Sequence, residues 1–173
     1  ASAVNALMDD PVPGYDLERG ALWRHSVAAA VVAETLVERA KINDADEAFT
    51  AALLHDIGKL VLGKHVEADQ QAIDDPKHSA KTFVEVEREV LGTDHAEVGA
   101  WVLQTWDLPG PLVDAVRWHH EPDKCPNPTV TLGKGEGVLI IQDIPLQERN
   151  PTAEKFVKML EERNINSVCF SRG

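Results

Sequence analysis

The residues of this sequence best suited to chemistry are its histidines, together with one histidine–aspartate pair. The pair, His55-Asp56, follows four apolar residues in the stretch AALLHDIGKL. An imidazole and a carboxylate among apolar residues need partners, because burying them unpaired is costly. Both groups are common ligands of iron, manganese, zinc, cobalt and nickel. The pair therefore marks either the centre of a metal site or a hydrogen-bonded structural pair.

Further histidines fall on the inward side of the predicted helices. Four helices each carry one within a stripe of small and apolar residues spaced by three and four: His25, His55, His95 and His119. His120 lies one residue further round. A single inward histidine is more often a satisfied core residue than a ligand, but four of them beside an aspartate favour a shared site. Helical bundles often build metal sites from facing helices, so we expect a site that can bind a divalent transition metal here.

The elements that must position these residues are predicted to be helices. Apolar spacing indicates a mainly α-helical bundle of five or six helices over residues 14–128. The helices are expected over residues 21–40, 45–62 and 82–91, from a cap at Asp94, and from Pro111 as a first helical residue. Gly92 is expected to end the third of them in a left-handed conformation. Residues 63–81 are polar and predict a loop or short broken helices.

The character of the sequence changes over residues 129–173, which we treat as a small C-terminal appendage. VLII at 138–141 is a short β-branched run, and INSVCF at 165–170 has the composition of a second strand. Between them a helix is predicted to begin at Pro151, with Asn150 as its cap. This order predicts a β-α-β-like unit.

Composition and charge limit the partners of this chain. The net charge is −12 and the 17 Lys and Arg residues form no stripe, which argues against nucleic acid as a partner. No apolar run approaches the roughly 18 residues of a membrane span, and no signal peptide is recognised, so we expect a cytoplasmic protein. Cys125 and Cys169 are expected to be reduced thiols, with a disulfide between them as the alternative.

Several other polar and aromatic residues are assigned structural roles. His65 and His78 lie in the polar stretch and are expected to be solvated, as is the charged run EVERE at 85–89. Three tryptophans are expected to be core residues: Trp101, Trp106 and Trp118. The histidine cluster is left as the main candidate site.

The order of the histidines and the sequence around them resemble the HD superfamily of metal-dependent phosphohydrolases. The strings LWRHSVAAAVVAETL, AALLHDIGKLVL and LGTDHAEVGAWVLQTWDLPGPLVDAVRWHHEP most resemble its HDOD branch, over about Gly14 to Pro122. The string DHAEVGAWVLQTWDLP followed by an HH pair is especially characteristic of that branch. The resemblance implies an HD-domain-like helical bundle.

The resemblance also implies a role for each matching residue. The residues that match ligands of a first ion are His25, His55 and Asp56, and those that match ligands of a second ion, bridged by Asp56, are His95, His119 and His120. Lys59 matches a lysine that contacts substrate phosphate in the relatives. In such sites a metal-activated water attacks phosphorus, so Asp56 and Lys59 are the catalytic candidates.

Two departures from the superfamily pattern bear on activity. The superfamily closes its metal site with an aspartate on a later helix, and the candidate here is Asp143 in VLIIQDIPL, where Pro145 and the upstream glycines fit a helix poorly. Relatives that degrade cyclic dinucleotides carry a Gly-Tyr-Pro motif after the HH pair, whereas this sequence reads HHEPDKCPNP.

Three functional hypotheses follow from the resemblance and the residues. The first is a regulatory HDOD module that keeps the metal site within a larger bacterial signal-transduction protein, with other signalling domains as partners and a homo-oligomer as a further expectation. The second is an active phosphohydrolase acting on a nucleotide, a cyclic nucleotide or another phosphate-containing small molecule. The third is a metal-free helical scaffold in which histidine and aspartate pair by hydrogen bonds.

Overall fold

The structure, a computed structural model, describes residues 7–39, 45–126, 128–131 and 169–171. Its helices are α1 (Ala21–Arg39), α2 (Ala45–Leu54), α3 (Gly58–Ala68), α4 (Gln70–Ile73), α5 (Phe83–Leu91), α6 (His95–Thr105) and α7 (Gly110–Trp118). Short 3-10 helices lie at Pro13–Tyr15, Pro76–His78 and Pro122–Lys124, and the strands are β1 (Pro128–Thr131) and β2 (Cys169–Ser171). None of the helices in these ranges combines the length and apolar character needed to span a membrane.

The main helices pack as two pairs around an apolar core, which confirms the predicted mainly α-helical bundle. α1 lies against α2, α6 lies against α7, and the pairs meet where α2 contacts α7 and α3 contacts α6. The core between them is rich in small side chains, among them Ala30, Ala33, Val37, Ala48, Ala52 and Val116. Small side chains let helices approach closely, which brings the histidines of different helices together.

The prediction of a single helix over residues 45–62 is wrong, because the chain forms a turn in the middle of this range. His55 and Asp56 lie in this turn between α2 and α3. The turn is tight, since the amide of Ile57 donates to the carbonyl of Leu54 at 3.0 Å. Both flanking helices bury an apolar face, so the spacing of apolar residues alone gives no sign of the interruption.

α3 extends into residues 63–81, which were predicted as a loop or broken helices. Its buried Leu62 and Val66 pack in a second, smaller core with Val86 of α5 and Val98 of α6. This core holds α5 against the site-bearing helices. The remainder of the stretch contains only the short α4 and a 3-10 helix, as the prediction of broken helices implied.

Three predicted helix ends have the expected chemistry. Gly92 follows α5 with φ of 76°, a left-handed conformation that glycine adopts without strain. Asp94 caps α6, since its side chain accepts from the amide of Glu97 at 2.9 Å. Pro111 lies in the first turn of α7 as the second residue, because the helix begins one residue earlier than predicted.

Two of the three tryptophans predicted to be core residues are exposed instead. Trp101 is 47 % and Trp106 is 46 % exposed, whereas Trp118 is half-buried. The inward face of α6 carries Ala96, Gly99 and other small residues, because α3 and α7 lie against it. An indole does not fit at so close an approach.

Of the two short strands, β2 lies in the predicted C-terminal appendage, and β1 begins at Pro128, the last residue of the predicted helical domain. β1 and β2 pair antiparallel, with an irregularity in register between Pro128 and Val130. β2 overlaps the end of the predicted strand INSVCF, while β1 falls ahead of the predicted VLII strand. VLII and the helix predicted from Pro151 lie outside the described residues.

Gly58, the first residue of α3, is where the backbones of α3 and α6 touch. A Cβ atom at this position would lie 2.0 Å from the carbonyl oxygen of His95 and 2.7 Å from the amide nitrogen of Gly99. Only glycine permits this approach. The contact keeps Asp56, two residues earlier, beside His95.

We therefore expect Gly58→Ala to lower the free energy of unfolding by about 2–4 kcal/mol, since backbone atoms of α6 must move to make room. Urea unfolding followed by circular dichroism measures the change. Gly110→Ala is the matched control, because its Cβ would meet no atom of the described chain within 4 Å. That variant should change the free energy by less than about 1 kcal/mol, and equal effects of the two substitutions would contradict the packing argument.

Candidate metal centre

The carboxylate of Asp56 lies buried at the centre of the histidine cluster. Its Oδ2 is 3.4 Å from Nε2 of His55 and 3.6 Å from Nε2 of His25. Its Oδ1 is 3.3 Å from Nε2 of His95 and 4.0 Å from Nε2 of His119. Each carboxylate oxygen therefore faces a different half of the cluster.

Two of the imidazoles are oriented by the ends of helices. His55 follows the last residue of α2, and its Nδ1 is 2.7 Å from the carbonyl oxygen of Ala52. His119 follows the last residue of α7, and its Nδ1 is 2.6 Å from the carbonyl oxygen of Val116. The last carbonyls of a helix have no acceptor role within it, so an Nδ1–H donor satisfies one of them. With the hydrogen on Nδ1, the lone pair of each neutral ring is on Nε2 and faces Asp56.

His95 is oriented by a carboxylate instead of a carbonyl. It begins α6, and its backbone N–H donates to Oε2 of Glu87 at 3.1 Å. Its Nδ1 lies 2.7 Å from Oε2 and 3.0 Å from Oε1 of the same side chain. Glu87 is 0 % exposed and also accepts a hydrogen bond from the hydroxyl of Tyr15. Its oxygens hold Nδ1–H in place and leave Nε2 of His95 facing the cluster.

The half of the cluster that contains His95 brings ring nitrogens close to one another. Nε2 of His120 lies 2.6 Å from Nε2 of His95. Nε2 of His119 is buried and, within the described part of the chain, has no hydrogen-bond partner. Converging ring nitrogens of this kind are satisfied by a cation.

The donor atoms form two compact groups that could each hold a metal ion. One group is His25, His55 and Asp56, and the other is His95, His119 and His120, with the atoms of each within 4.8 Å of one another. Imidazole nitrogen with carboxylate oxygen suits divalent transition metals. The residues present therefore fit a transition-metal site.

The site is open on the side of Lys59 and His25. The side chain of Lys59 is 21 % exposed and that of His25 30 %, while Asp56 and His95 are almost fully covered. Nζ of Lys59 donates to Oδ2 of Asp56 at 2.7 Å. The same ammonium lies 5.7 Å from the ring centre of Tyr15, within range of a cation–π contact. A ligand entering here would meet positive charge first.

Burial keeps several of the imidazoles neutral. It lowers the pKa of His55 to about 4 and also lowers the pKa of His25. Burial, followed by the neighbouring His120 and His55, lowers the pKa of His119 well below its ordinary value. A neutral ring is the form that binds a metal ion, so these three residues are in the right state at pH 7.

Charge compensation governs the other two groups at the centre. Burial by itself would raise the pKa of Asp56, but His55, Lys59 and His95 outweigh burial and hold that pKa well below its usual range. Burial also disfavours protonated His95, yet its hydrogen bonds to Asp56 and Glu87 raise its pKa. Asp56 is therefore an ionised carboxylate at neutral pH.

The structure brings together all the sequence-predicted site residues that it describes. These are His25, His55, Asp56, Lys59, His95, His119 and His120. Their roles as ligands or catalytic groups remain predictions. Asp143, the predicted closing ligand, lies outside the described residues.

Two residues beside the ligand groups, Glu87 and Tyr15, were not predicted from the sequence. Glu87 belongs to the EVERE run predicted to be solvated, yet it is buried against His95. The sequence contains a sign of this burial, since Glu87 falls three residues after Val84 and four before Leu91 on the inward stripe of α5. Tyr15 precedes the helices, where no periodic pattern places it.

The two histidines predicted to be solvated differ from each other. His65 is exposed, as predicted. His78 is buried, with Nδ1 3.2 Å from the carbonyl of Ile73 and Nε2 3.3 Å from Glu89, so its prediction is wrong. Tertiary contacts with α5 account for the burial, and His78 lies outside both ligand groups.

This helical fold has counterparts among known proteins. The family model of the HDOD domain matches residues 1–122, more than half of the 173-residue chain. The chain therefore belongs to the HDOD domain family, which confirms the resemblance drawn from the sequence.

Three relatives show the extent of the similarity. An uncharacterised protein of Treponema pallidum (strain Nichols) is 27 % identical over 125 residues, which cover 64 % of this chain and 22 % of that protein. The crystal structure of a "Putative phosphohydrolase" from Shewanella amazonensis SB2B matches with 29 % identity and a TM-score of 0.52, over 58 % of this chain and 37 % of that one. An HDOD domain protein of unknown function from Geobacter sulfurreducens has the same fold, with a TM-score of 0.62 and 22 % identity over 93 % of this chain and 63 % of its own. The chain thus spans less than two thirds of each relative.

The lowered pKa values of His25, His55 and His119 predict that acid destabilises the metal-free protein. As pH falls from about 6.5 towards 4, the unfolded chain takes up protons that these buried rings resist, so stability is lost across that window. His55 alone contributes about 3 kcal/mol to the loss. The raised pKa of His95 acts in the opposite direction, because it stabilises the fold at low pH.

Urea midpoints of chelator-treated protein at pH 7, 6 and 5 measure this effect. His55→Gln should flatten the dependence of unfolding free energy on pH, whereas His65→Gln, at an exposed position, should leave it unchanged. A wild-type stability that does not change between pH 7 and 5 is the result that contradicts the prediction.

Proposed function

We propose that this chain is a regulatory module of HDOD type that holds two divalent transition-metal ions and is part of a larger bacterial signal-transduction protein. The observation that carries the proposal is the division of the Asp56 carboxylate, one oxygen of which faces each half of the histidine cluster. A carboxylate between two nitrogen-rich groups suits a pair of ions. Membership of the HDOD family and partial coverage of longer relatives support the regulatory context.

The ligand that best suits the open side of the site is a small molecule bearing phosphate, such as a nucleotide or cyclic nucleotide. Lys59 is the cationic side chain on that side, and its Nζ is already placed against Asp56. It would donate a charge-assisted hydrogen bond to a phosphate oxygen while remaining close to the carboxylate. Bound metal ions would add positive charge and an activated water at the same place.

A second candidate function is hydrolysis of that phosphate compound. The specific observation in its favour is the pairing of Lys59 with Asp56 at the exposed edge of the site, where a substrate phosphate could reach both. Asp56 would then orient the attacking water, and Lys59 would stabilise negative charge that develops on the phosphate. A regulatory module would bind the compound without turnover.

The extent and setting of the module are part of the proposal. We assign residues 14–128 to the helical domain, which contains helices α1 to α7, and residues 129–173 to an appendage. Other signalling domains are the expected partners, with self-association as a further expectation, and the location is proposed to be the cytoplasm. The net charge of −12 favours partners other than nucleic acid.

Metal analysis of protein purified without chelator tests the central claim. We expect about two transition-metal ions per chain. His55→Ala should lose about one of them, because it removes a donor from one group, and Asp56→Ala should lose both, because it faces both groups. His65→Ala is the control and should retain the wild-type content, since His65 is exposed on α3. If wild-type protein takes up no ion even from excess metal, the proposed metal centre is contradicted and the metal-free scaffold is favoured.

Phosphate binding and turnover separate the two candidate functions. In metal-loaded protein, Lys59→Gln should weaken binding of inorganic phosphate about tenfold or more, because a charged donor is lost. Lys64→Gln, an exposed position on the same helix, should leave it unchanged. Calorimetry measures the affinity. Turnover of a generic phosphodiester or phosphomonoester that disappears in Asp56→Ala would establish the hydrolase, whereas binding without turnover supports the regulatory module.

A further inference from the structure

Glu87 is a buried carboxylate beside the site that belongs to neither proposed ligand group. Among the described residues, the buried acidic side chains are Asp56, Glu87 and Asp94. Asp94 caps α6 and pairs with Arg88, and Asp56 lies within the cluster. Glu87 has no such role, so its complete burial requires another explanation.

Within the described part of the chain, the hydrogen bonds of the Glu87 carboxylate are with His95 and Tyr15. The backbone amide of His95 and its ring Nδ1 both donate to the carboxylate, at 3.1 Å and 2.7 Å. The hydroxyl of Tyr15 donates to the other oxygen. Glu87 therefore fixes where α6 begins, how the first ring of α6 is turned, and which of its nitrogens carries the hydrogen.

Nδ1 of His95 has a different kind of hydrogen-bond partner from Nδ1 of the other oriented rings. Nδ1 of His55 and Nδ1 of His119 each face a backbone carbonyl, whereas Nδ1 of His95 faces a carboxylate. A carboxylate partner makes the opposite ring nitrogen a stronger electron donor than a carbonyl does. His95 should therefore be a stronger electron donor to a metal ion than His55 or His119. This stronger donor belongs to the group of His95, His119 and His120.

Tyr15 is itself held in place by a close backbone contact. Its 3-10 helix lies on α3, where a Cβ on the preceding Gly14 would be only 2.3 Å from the carbonyl oxygen of Gly63. The tyrosine ring then lies between Lys59 and the Glu87 carboxylate. The N-terminal turn thus supports Glu87 through the Tyr15 hydroxyl, and the Tyr15 ring also lies edge-on to the His95 ring, with their centres 6.2 Å apart.

We propose that Glu87, supported by Tyr15, is a positioning residue that sets the metal affinity of the His95–His119–His120 group and leaves the His25–His55–Asp56 group unaffected. This inference rests on the proposed metal centre. It assigns to α5 and to the N-terminal turn a part in one of the two ion sites.

Zinc titration by calorimetry tests the proposal in two single-site backgrounds. His55→Ala leaves the His95 group as the intact one, and His119→Ala leaves the His25 group. Adding Glu87→Gln should weaken Zn²⁺ binding about 10- to 100-fold in the first background, the size typical of losing a carboxylate behind a ligating histidine. In the second background the affinity should change by less than about threefold. Glu89→Gln, on the same helix but partly exposed, is the control and should change neither.

The outcomes distinguish this inference from the proposed function. Equal weakening in both backgrounds, or no weakening in either, overturns the role of Glu87 while the metal centre stands. Absence of Zn²⁺ binding in wild-type protein overturns the metal centre itself. If Glu87→Gln does not fold, Tyr15→Phe replaces it, because that change removes one hydrogen bond to the carboxylate and keeps the ring. It should weaken Zn²⁺ binding at least about threefold in the His55→Ala background only.

Discussion

The arrangement of the helices around the site depends on one buried anion, the carboxylate of Asp56. An ionised carboxylate inside a protein is unstable without compensation, and here Lys59 and rings from several helices surround it. Each of its oxygens has its own set of neighbours, so the removal of either set leaves the oxygen that it faces uncompensated. The close packing of α3 against α6 at Gly58 keeps this carboxylate between the two sets.

Two of the imidazoles are oriented by the ends of helices, and a third is oriented by a carboxylate at the start of one. Unpaired carbonyls at the ends of α2 and α7 accept hydrogen bonds from Nδ1–H of His55 and His119. The unpaired amide at the start of α6 donates to Glu87. The same hydrogen bonds that complete the helices therefore orient the ligands. Hydrogen bonds at the helix ends therefore set the geometry of the site. They fix the orientation of rings that lie in turns or in the first turn of a helix.

Much of this could be predicted from the sequence, and the failures share a cause. Apolar stripes indicated the helical class and the inward histidines, and the resemblance to the HD superfamily grouped them. The turn at His55-Asp56 was missed because periodicity continues across it, and the burial of Glu87 was missed because a charged run was assigned to solvent. The exposed Trp101 shows the same limit, since composition does not reveal how closely a neighbouring helix approaches. Asp143 lies outside the described residues, so its role still rests on the sequence.

The pairing of the helices has a mechanical consequence. His25, His55 and Asp56 come from the α1–α2 pair and the turn after it, whereas His95, His119 and His120 come from α6 and the end of α7. Each group is thus carried by one helical hairpin, and the boundary between the groups coincides with the boundary between the hairpins. A small sliding of one hairpin on the other would change the separation of the two groups while leaving each group intact. The separation of the two groups therefore depends on how the two hairpins pack against each other.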